Sequence, residues 1–445
     1  VIARLIASLL LLVAAPALAQ DEPAYREHYQ RARELARAGE RTAAADALLD
    51  AITHGYTDFF AMERDGALAS IRSTEQYQAI LLGWRELLDA RAAADAASAR
   101  EALGKAYRVV RDEDLRIHIV HAHREEAIAD ALADLRAIGR WWDQAILAAL
   151  PDDLRRRNPA RPDPWVTLVL PTPEDFVRLV GREAVAGGVG GYYDPATKRL
   201  IAQDLGPTLR HEFVHALDWR LLRRVGASRP NWMLEALGAL VEDIDLGADG
   251  VIRPVPSWRT NIAKRRVELG LRTEWRTLFD LPRDRFLGVR PNSQYAQVRA
   301  IGLYMLERGA LGAWAARSLE TGAADALAQA LGEPIDDAEA AFVAWLRDLP
   351  ESPESIGPGE ATLGVELARG RGDGARIDRI EPGAPAREAG LRTGDVLVRV
   401  AGLRVWTPED LARVLARFEP GETVEVAVRR YARRVAASVT LGEAR

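Results

Sequence analysis

Five consecutive residues, His211-Glu212-Phe213-Val214-His215, restrict what this chain can fold into more than any other stretch. Two imidazoles four positions apart share a face, about one turn apart, only when the backbone is helical. Pro207 is a favourable first-turn residue, and Leu209, Phe213, Ala216 and Leu217 supply a stripe to bury, so a helix is predicted from Pro207 onward. On that helix both rings can reach one tetrahedral Zn²⁺, and Glu212 projects beside them, placed to take a proton from a metal-bound water. One ligand is then missing. Glu235 lies early in a second predicted helix, which the Arg229-Pro230 turn precedes, with nineteen residues between it and His215. Cysteine is absent, which excludes disulfides, thiolate ligands and a thiol nucleophile, and two of only 7 histidines fall in the one motif.

The motif His211-Glu212-x-x-His215 followed by Glu235, with Trp232 three residues before the glutamate, resembles the gluzincin peptidases. The resemblance is closest to the bacterial peptidase MA-like proteins. Those run strand, helix, strand, edge hairpin, HExxH helix, Trp-x-x-Glu helix and then a helix carrying a tyrosine, and residues 105–348 follow that order. The resemblance implies one Zn²⁺ per chain on His211, His215 and Glu235, with Glu212 as general base. It also points to Tyr295, in Ser293-Gln294-Tyr295, as an oxyanion donor, with simple packing as its other reading. The family usually has glycine directly after the ligand glutamate and an acidic residue four positions on, where this chain has Ala236 and Ala239. Asp218 and Glu242 are the carboxylates expected instead to accept the second N–H of the metal-bound histidines. His118, His121 and His123 read as a solvated strand end rather than a second metal site.

Around this centre the expected fold is a multidomain α+β chain. Residues 1–19 have the form of a signal peptide: Arg4, an apolar run from Leu5 to Val13, and Ala17-Leu18-Ala19 as the cleavage pattern. Residues 22–100 read as helices resembling a tetratricopeptide (TPR-like) hairpin. Residues 105–348 form the expected gluzincin-type metallopeptidase domain. Three prolines and two glycines make 349–360 a linker. Residues 361–445 resemble a PDZ domain of the bacterial exported-protease type, β-barrel-like, through Leu363-Gly364-Val365-Glu366-Leu367, the run from Ile380 to Ala386 and the run from Ala389 to Leu397. That resemblance makes Leu363, Gly364, Val365 and Leu367 the binders of a peptide C-terminus, with internal docking of the module against the protease domain as its other reading.

The functional expectation is an exported, periplasmic or secreted zinc metalloendopeptidase acting on protein or peptide substrates, whose PDZ domain selects or tethers substrate C-termini or gates activity. The rival is an inactive zinc-binding scaffold that binds peptides through PDZ and helical repeats. A net charge of −5 without a basic excess argues against nucleic acid as a partner. No later stretch reads as a membrane span, so none is expected after signal cleavage.

Overall fold

The computed structural model describes residues 24–155, 161–288, 291–368 and 372–445. The expected signal segment, 1–19, lies outside the described residues. Among the described residues no helix is long and apolar enough to cross a membrane.

The N-terminal part is helical. α1 (Tyr25–Arg37) and α2 (Arg41–Thr53) form a hairpin that turns at Gly39, whose φ of +84° suits glycine. Leu35, Leu48, Ile52, Phe59 and Trp84 close a core beneath it, and Trp165 joins that core from the following domain. α3 (Trp84–Leu103) then crosses the central sheet.

The sheet has order β1-β2-β3-β5-β4, from β1 (Arg108–Asp112), β2 (Ile117–His121), β3 (Val166–Leu170), β4 (Gly191–Asp194) and β5 (Arg199–Ala202). β2, β3 and β5 run parallel, while β1 and β4 pair antiparallel at the two edges. Parallel strands need covered faces, which is why β2 and β3 are buried along their whole length. Ile119, Leu168 and Leu200 face one core with α4 (Glu125–Ala145) and α5 (Pro207–Val225). Val120, Val169 and Ile201 face another with Ala96, Ala99 and Phe176.

This burial corrects one expectation. His118 and His121 are not solvated at a strand end: they are 3% and 1% exposed, and His118 stacks on Trp165 with ring centroids 4.7 Å apart. Alternation in the sequence suggested a half-open strand, but β2 is sandwiched between neighbours and covered on both faces.

Downstream come α6 (Asn231–Leu240), the β6 (Ile244–Leu246) and β7 (Ile252–Pro254) hairpin, α7 (Trp258–Glu268), α8 (Pro291–Glu307) and α9 (Ile335–Asp348). The Pro- and Gly-rich segment read as a linker is strapped down at its start. Asn261 on α7 donates to Ser352 O at 2.8 Å and accepts from Ser352 N at 2.9 Å, and Lys264 donates to Leu349 O at 2.8 Å.

The C-terminal module is a sheet of order β12-β11-β10-β9-β8, from β8 (Val365–Leu367), β9 (Ala375–Ile380), β10 (Val396–Val400), β11 (Thr423–Arg430) and β12 (Arg433–Thr440). With α10 (Pro408–Leu415) it encloses Leu363, Ile377, Val400, Leu411 and Val426. The module is docked on the preceding domain. Trp406 is buried in the main core, and its indole N–H donates to Asp134 at 2.7 Å. Arg404 and Arg429 pair with Asp134 and Asp130 at 3.3 and 3.1 Å, and Arg413 pairs with Asp245.

The buried histidines set a pH dependence. Burial is the main cause holding both His118 and His121 at about 4, below the ordinary 6.5. The unfolded chain takes up protons between those values that these two folded rings refuse, so their contribution to stability is complete above pH 6.5 and is lost as pH falls toward 4. The thermal midpoint should therefore drop between pH 6.5 and 4.5 in a calorimetric series. His121→Leu should flatten that drop, and an unchanged slope would remove His121 as a cause.

Candidate active site

α5 and α6 build the site between them. Pro207 opens α5, and Gly226, at φ +76°, closes it in the left-handed conformation, with Arg223 and Arg224 in the last turn where the helix dipole favours cations. The period of α5 puts Phe213 and Val214 into the core and leaves His211, Glu212 and His215 facing α6 and β4. α6 then crosses close by. A Cβ on Gly238 would lie 3.0 Å from Cε1 and Nε2 of His211, so a side chain there would push the ring back by a few tenths of an ångström. Gly191 at the start of β4 is more tightly constrained, since its Cβ would clash at 2.7 Å with the backbone oxygen of Ile201 and sit 3.2 Å from Glu212 Cγ.

The crossing brings His211, His215 and Glu235 together, with one ligand atom from each lying within 4.8 Å of the others. Nε2 of His211 is 3.1 Å from Glu235 Oε2, and Nε2 of His215 is 3.5 Å from the same oxygen. On its other side His211 Nδ1 meets Glu242 Oε1 at 2.8 Å. Glu242 in turn accepts from Arg259 Nε at 2.5 Å. The Arg259 guanidinium lies 5.5 Å over the Tyr295 ring, whose centroid is 6.1 Å from that of His211.

The electrostatics follow from three buried carboxylates around two imidazoles. Burial disfavours charge on His211, but its hydrogen bonds to Glu235 and Glu242 prevail and hold the ring well above its ordinary range. Burial would raise Glu235 and Glu242 too. His215 and His211 instead hold Glu235 well below the usual carboxylate range, and Arg259 with His211 holds Glu242 at about 2. Glu212 has no such hydrogen-bonded cation, and burial raises it against the pull of His211 and His215. Burial, and then the charges of Glu235 and Glu212, push the Tyr295 phenol upward. The centre thus carries more negative than fixed positive charge, and its donors converge as a divalent cation requires.

Glu242 sits where the sequence placed it, against a histidine ring. Asp218 does not. It pairs with Arg229, and both side chains are fully buried. Arg229 also donates to Ala315 O at 2.6 Å and Ser318 Oγ at 2.9 Å. Asp218 shares a helical stripe with the two histidines but points past them, toward the loop leading into α6. Its role is to clamp that loop. Sequence reasoning missed Arg259, Arg210, Gly191 and Gly238. Arg210 is buried on α5 and donates to Val241 O at 2.8 Å and Glu242 O at 2.5 Å, fixing the end of α6. The start of α7 offered a signal for Arg259 in the Ser257 and Thr260 capping box.

The pocket around these groups measures about 580 Å³ and runs beneath β4, the free edge of the sheet. No serine lines it among the described residues. In the C-terminal module, Gly364 has φ +66° and β8 is a sheet edge whose Val365 and Leu367 are half-buried.

Comparison with known proteins identifies this module. Residues 376–430 match the PDZ domain family, so the chain carries a PDZ domain, a fold that binds peptide C-termini. The magnetosome formation protease MamE of Magnetospirillum gryphiswaldense is 37% identical over 68 residues, 15% of this chain and 9% of that protein. A probable periplasmic serine endoprotease DegP-like of Rhizobium meliloti is 31% identical over 87 residues, 20% of this chain and 17% of that protein. The chain thus spans less than a fifth of the length of either relative. Among solved structures, an HtrA-type protease with a decapeptide shares 23% identity over 19% of this chain and 30% of its own, at a TM-score of 0.18. An aminopeptidase N family protein from Idiomarina loihiensis shares 15% identity over 76% of this chain and 67% of its own, at a TM-score of 0.29. Neither likeness is close enough to carry an argument.

These findings correct the family expectation. The relatives are named as proteases, two of them as serine endoproteases, and not as zinc peptidases. Membership of the peptidase MA-like gluzincins is withdrawn, and with it the gluzincin and TPR-like fold labels. Zinc as cofactor, zinc metalloendopeptidase activity and the inactive zinc scaffold are withdrawn as well. The physical reason is that one pentapeptide and one spaced glutamate fix a local constellation, not an ancestry. The periplasmic setting named for two of the relatives agrees with the exported location read from the sequence.

The Asp218–Arg229 pair gives a test of how the site is held. Asp218→Ala leaves a buried guanidinium without its counter-charge, which costs about 3 to 5 kcal/mol. Urea denaturation should show a loss of that size, and a loss under 1 kcal/mol would mean that Arg229 finds water instead.

Proposed function

We propose that the chain is an exported peptide-bond hydrolase whose chemistry takes place among His211, Glu212, His215 and Glu235 and whose PDZ domain binds the C-termini of its substrates. The observation that carries this reading is the convergence of three donor groups beside the buried Glu212, under the free edge of β4. The protease names of the relatives support hydrolysis as the reaction class.

An extended peptide pairs with β4, whose unpaired backbone groups offer a template, and this draws a scissile carbonyl into the pocket. His211, His215 and Glu235 would hold a divalent cation, which when bound supplies Lewis-acid polarisation of the carbonyl and acidifies water. Glu212, raised by burial, takes the proton of the attacking water and returns it to the leaving amide nitrogen. Tyr295, kept protonated by its surroundings, donates to the developing oxyanion. Glu242 accepts from His211 Nδ1 and so orients the ring with Nε2 toward the centre.

Glu212→Gln should leave folding intact and lower casein hydrolysis by at least about 100-fold, the low end for general acid–base catalysis. A chelator should abolish wild-type turnover, and a serine-directed fluorophosphonate should leave it unchanged. Inactivation by the fluorophosphonate, or full activity in Glu212→Gln, would move the chemistry out of this pocket.

A further inference from the structure

The peptide groove of the PDZ domain and the hydrolytic pocket are not separate features. A terminal carboxylate bound at the Leu363-Gly364 loop sits at the start of β8. The rest of such a peptide must then run antiparallel to β8, from Gly364 toward Ala368. At that end of β8, Ala368 meets Trp406, Thr407 and Glu409 at the start of α10 around a cavity of about 300 Å³. Gln203, Pro207, Thr407 and Glu409 line this cavity and also the pocket that holds Glu212.

The docking makes the path fixed in length. Leu205 N, just ahead of α5, donates to Gly372 O of the PDZ domain at 3.1 Å. Trp406 packs against Gly206, where a Cβ would approach its ring to 3.0 Å. Arg404, Arg413 and Arg429 are each at most 8% exposed in their ion pairs to Asp134, Asp245 and Asp130. A flexibly tethered domain would raise local substrate concentration without choosing a bond. A domain held by buried ion pairs and a buried tryptophan sets a register.

We propose that the two sites form one continuous track that measures substrates from their C-terminus. The occupant is the unfolded tail of a polypeptide with a free carboxylate and an apolar last residue, which the half-buried Val365 and Leu367 accommodate. The tail passes the cavity at Thr407 and reaches Glu212, so the bond broken lies a constant number of residues from the end. This rests on the hydrolase reading above and adds its substrate class.

The test uses the full chain and a set of peptides that share one apolar C-terminal tail but differ in the sequence and length of the part before it. Mass spectrometry of the products should show a C-terminal fragment of constant length throughout. Amidating the terminus should abolish that preference and lower kcat/KM by at least about tenfold, the worth of one charge-assisted contact of about 1.4 kcal/mol. Asp130→Asn with Asp134→Asn, which loosens the docking, should spread the cuts while a short internal peptide is cleaved as before. Cuts that follow local sequence at any distance from the terminus would overturn the track. If no peptide is cleaved, the hydrolase reading fails, and the path is read separately by photo-crosslinking in Glu212→Gln. A tail peptide carrying a benzophenone at successive upstream positions should label Tyr192 or Thr208 from one narrow range of positions. Labelling from every position, or none, would overturn the track by itself.

Discussion

Everything in the candidate site depends on how closely α6 can cross α5. Gly238 gives up its side chain so that His211 can lie against the helix backbone, and the crossing then carries Glu235 to within hydrogen-bond reach of the ring. Such an approach places carboxylates in a buried region, which is unfavourable unless each is matched. The matching is specific to each one. Glu242 has Arg259 and His211, Glu235 has both imidazoles, and Glu212 is left with neighbouring charge but no cation bonded to it. That difference separates the roles: two carboxylates stay ionised and hold the site, and the third is the one whose affinity for a proton rises. Arg210 reaches only backbone oxygens and the Asp218–Arg229 pair lies beyond the centre, yet they pin the two ends of the crossing and so keep these distances short.

The same economy of charge recurs where the PDZ domain meets the rest of the chain. Asp130 accepts from Arg429 and Arg434 and lies near Arg404, and Asp134 accepts from Arg404 and Trp406. Buried ion pairs add little net stability because desolvation offsets much of the attraction, but a misaligned pair is strongly unfavourable. They therefore select one orientation of the module rather than glue it in place, while Trp406 supplies the apolar contact.

Legibility from the sequence followed the range of the interaction. The helix from Pro207, the shared face of His211 and His215, and the arrival of Glu235 on the next helix all depend on periodicity and one turn, and the structure places these residues together. Glu242 was within reach of the same reasoning. Asp218 shows where it stops: helical spacing names the face a residue occupies, but Arg229, eleven positions on and beyond a turn, decides what that face meets. His118 and His121 failed for a related reason, because alternation along β2 says nothing about the parallel strand and helix that cover it. Docking of the PDZ domain was one of two readings the sequence left open, but nothing in the sequence named Asp130, Asp134 or Trp406 as the contact. Proline and glycine between 349 and 360 imply a spacer, and only Asn261 and Lys264, some 90 residues away in sequence, turn its beginning into a strap.

Family assignment obeyed yet another rule. The PDZ module is identifiable because its signature extends over most of a small domain, residues 376–430, including the run ending at Ala386 and the run ending at Leu397, each tied to a turn or strand the fold cannot omit. The constellation at His211, Glu212, His215 and Glu235 needs only two helices crossing at one angle, and unrelated chains can satisfy that. Geometry is therefore the stronger witness for what the pocket can do, and sequence similarity for what the C-terminal module is. The two meet at Thr407 and Glu409, residues of the PDZ domain that line the pocket of Glu212. A function assigned to either part alone would leave that shared wall without a physical reason.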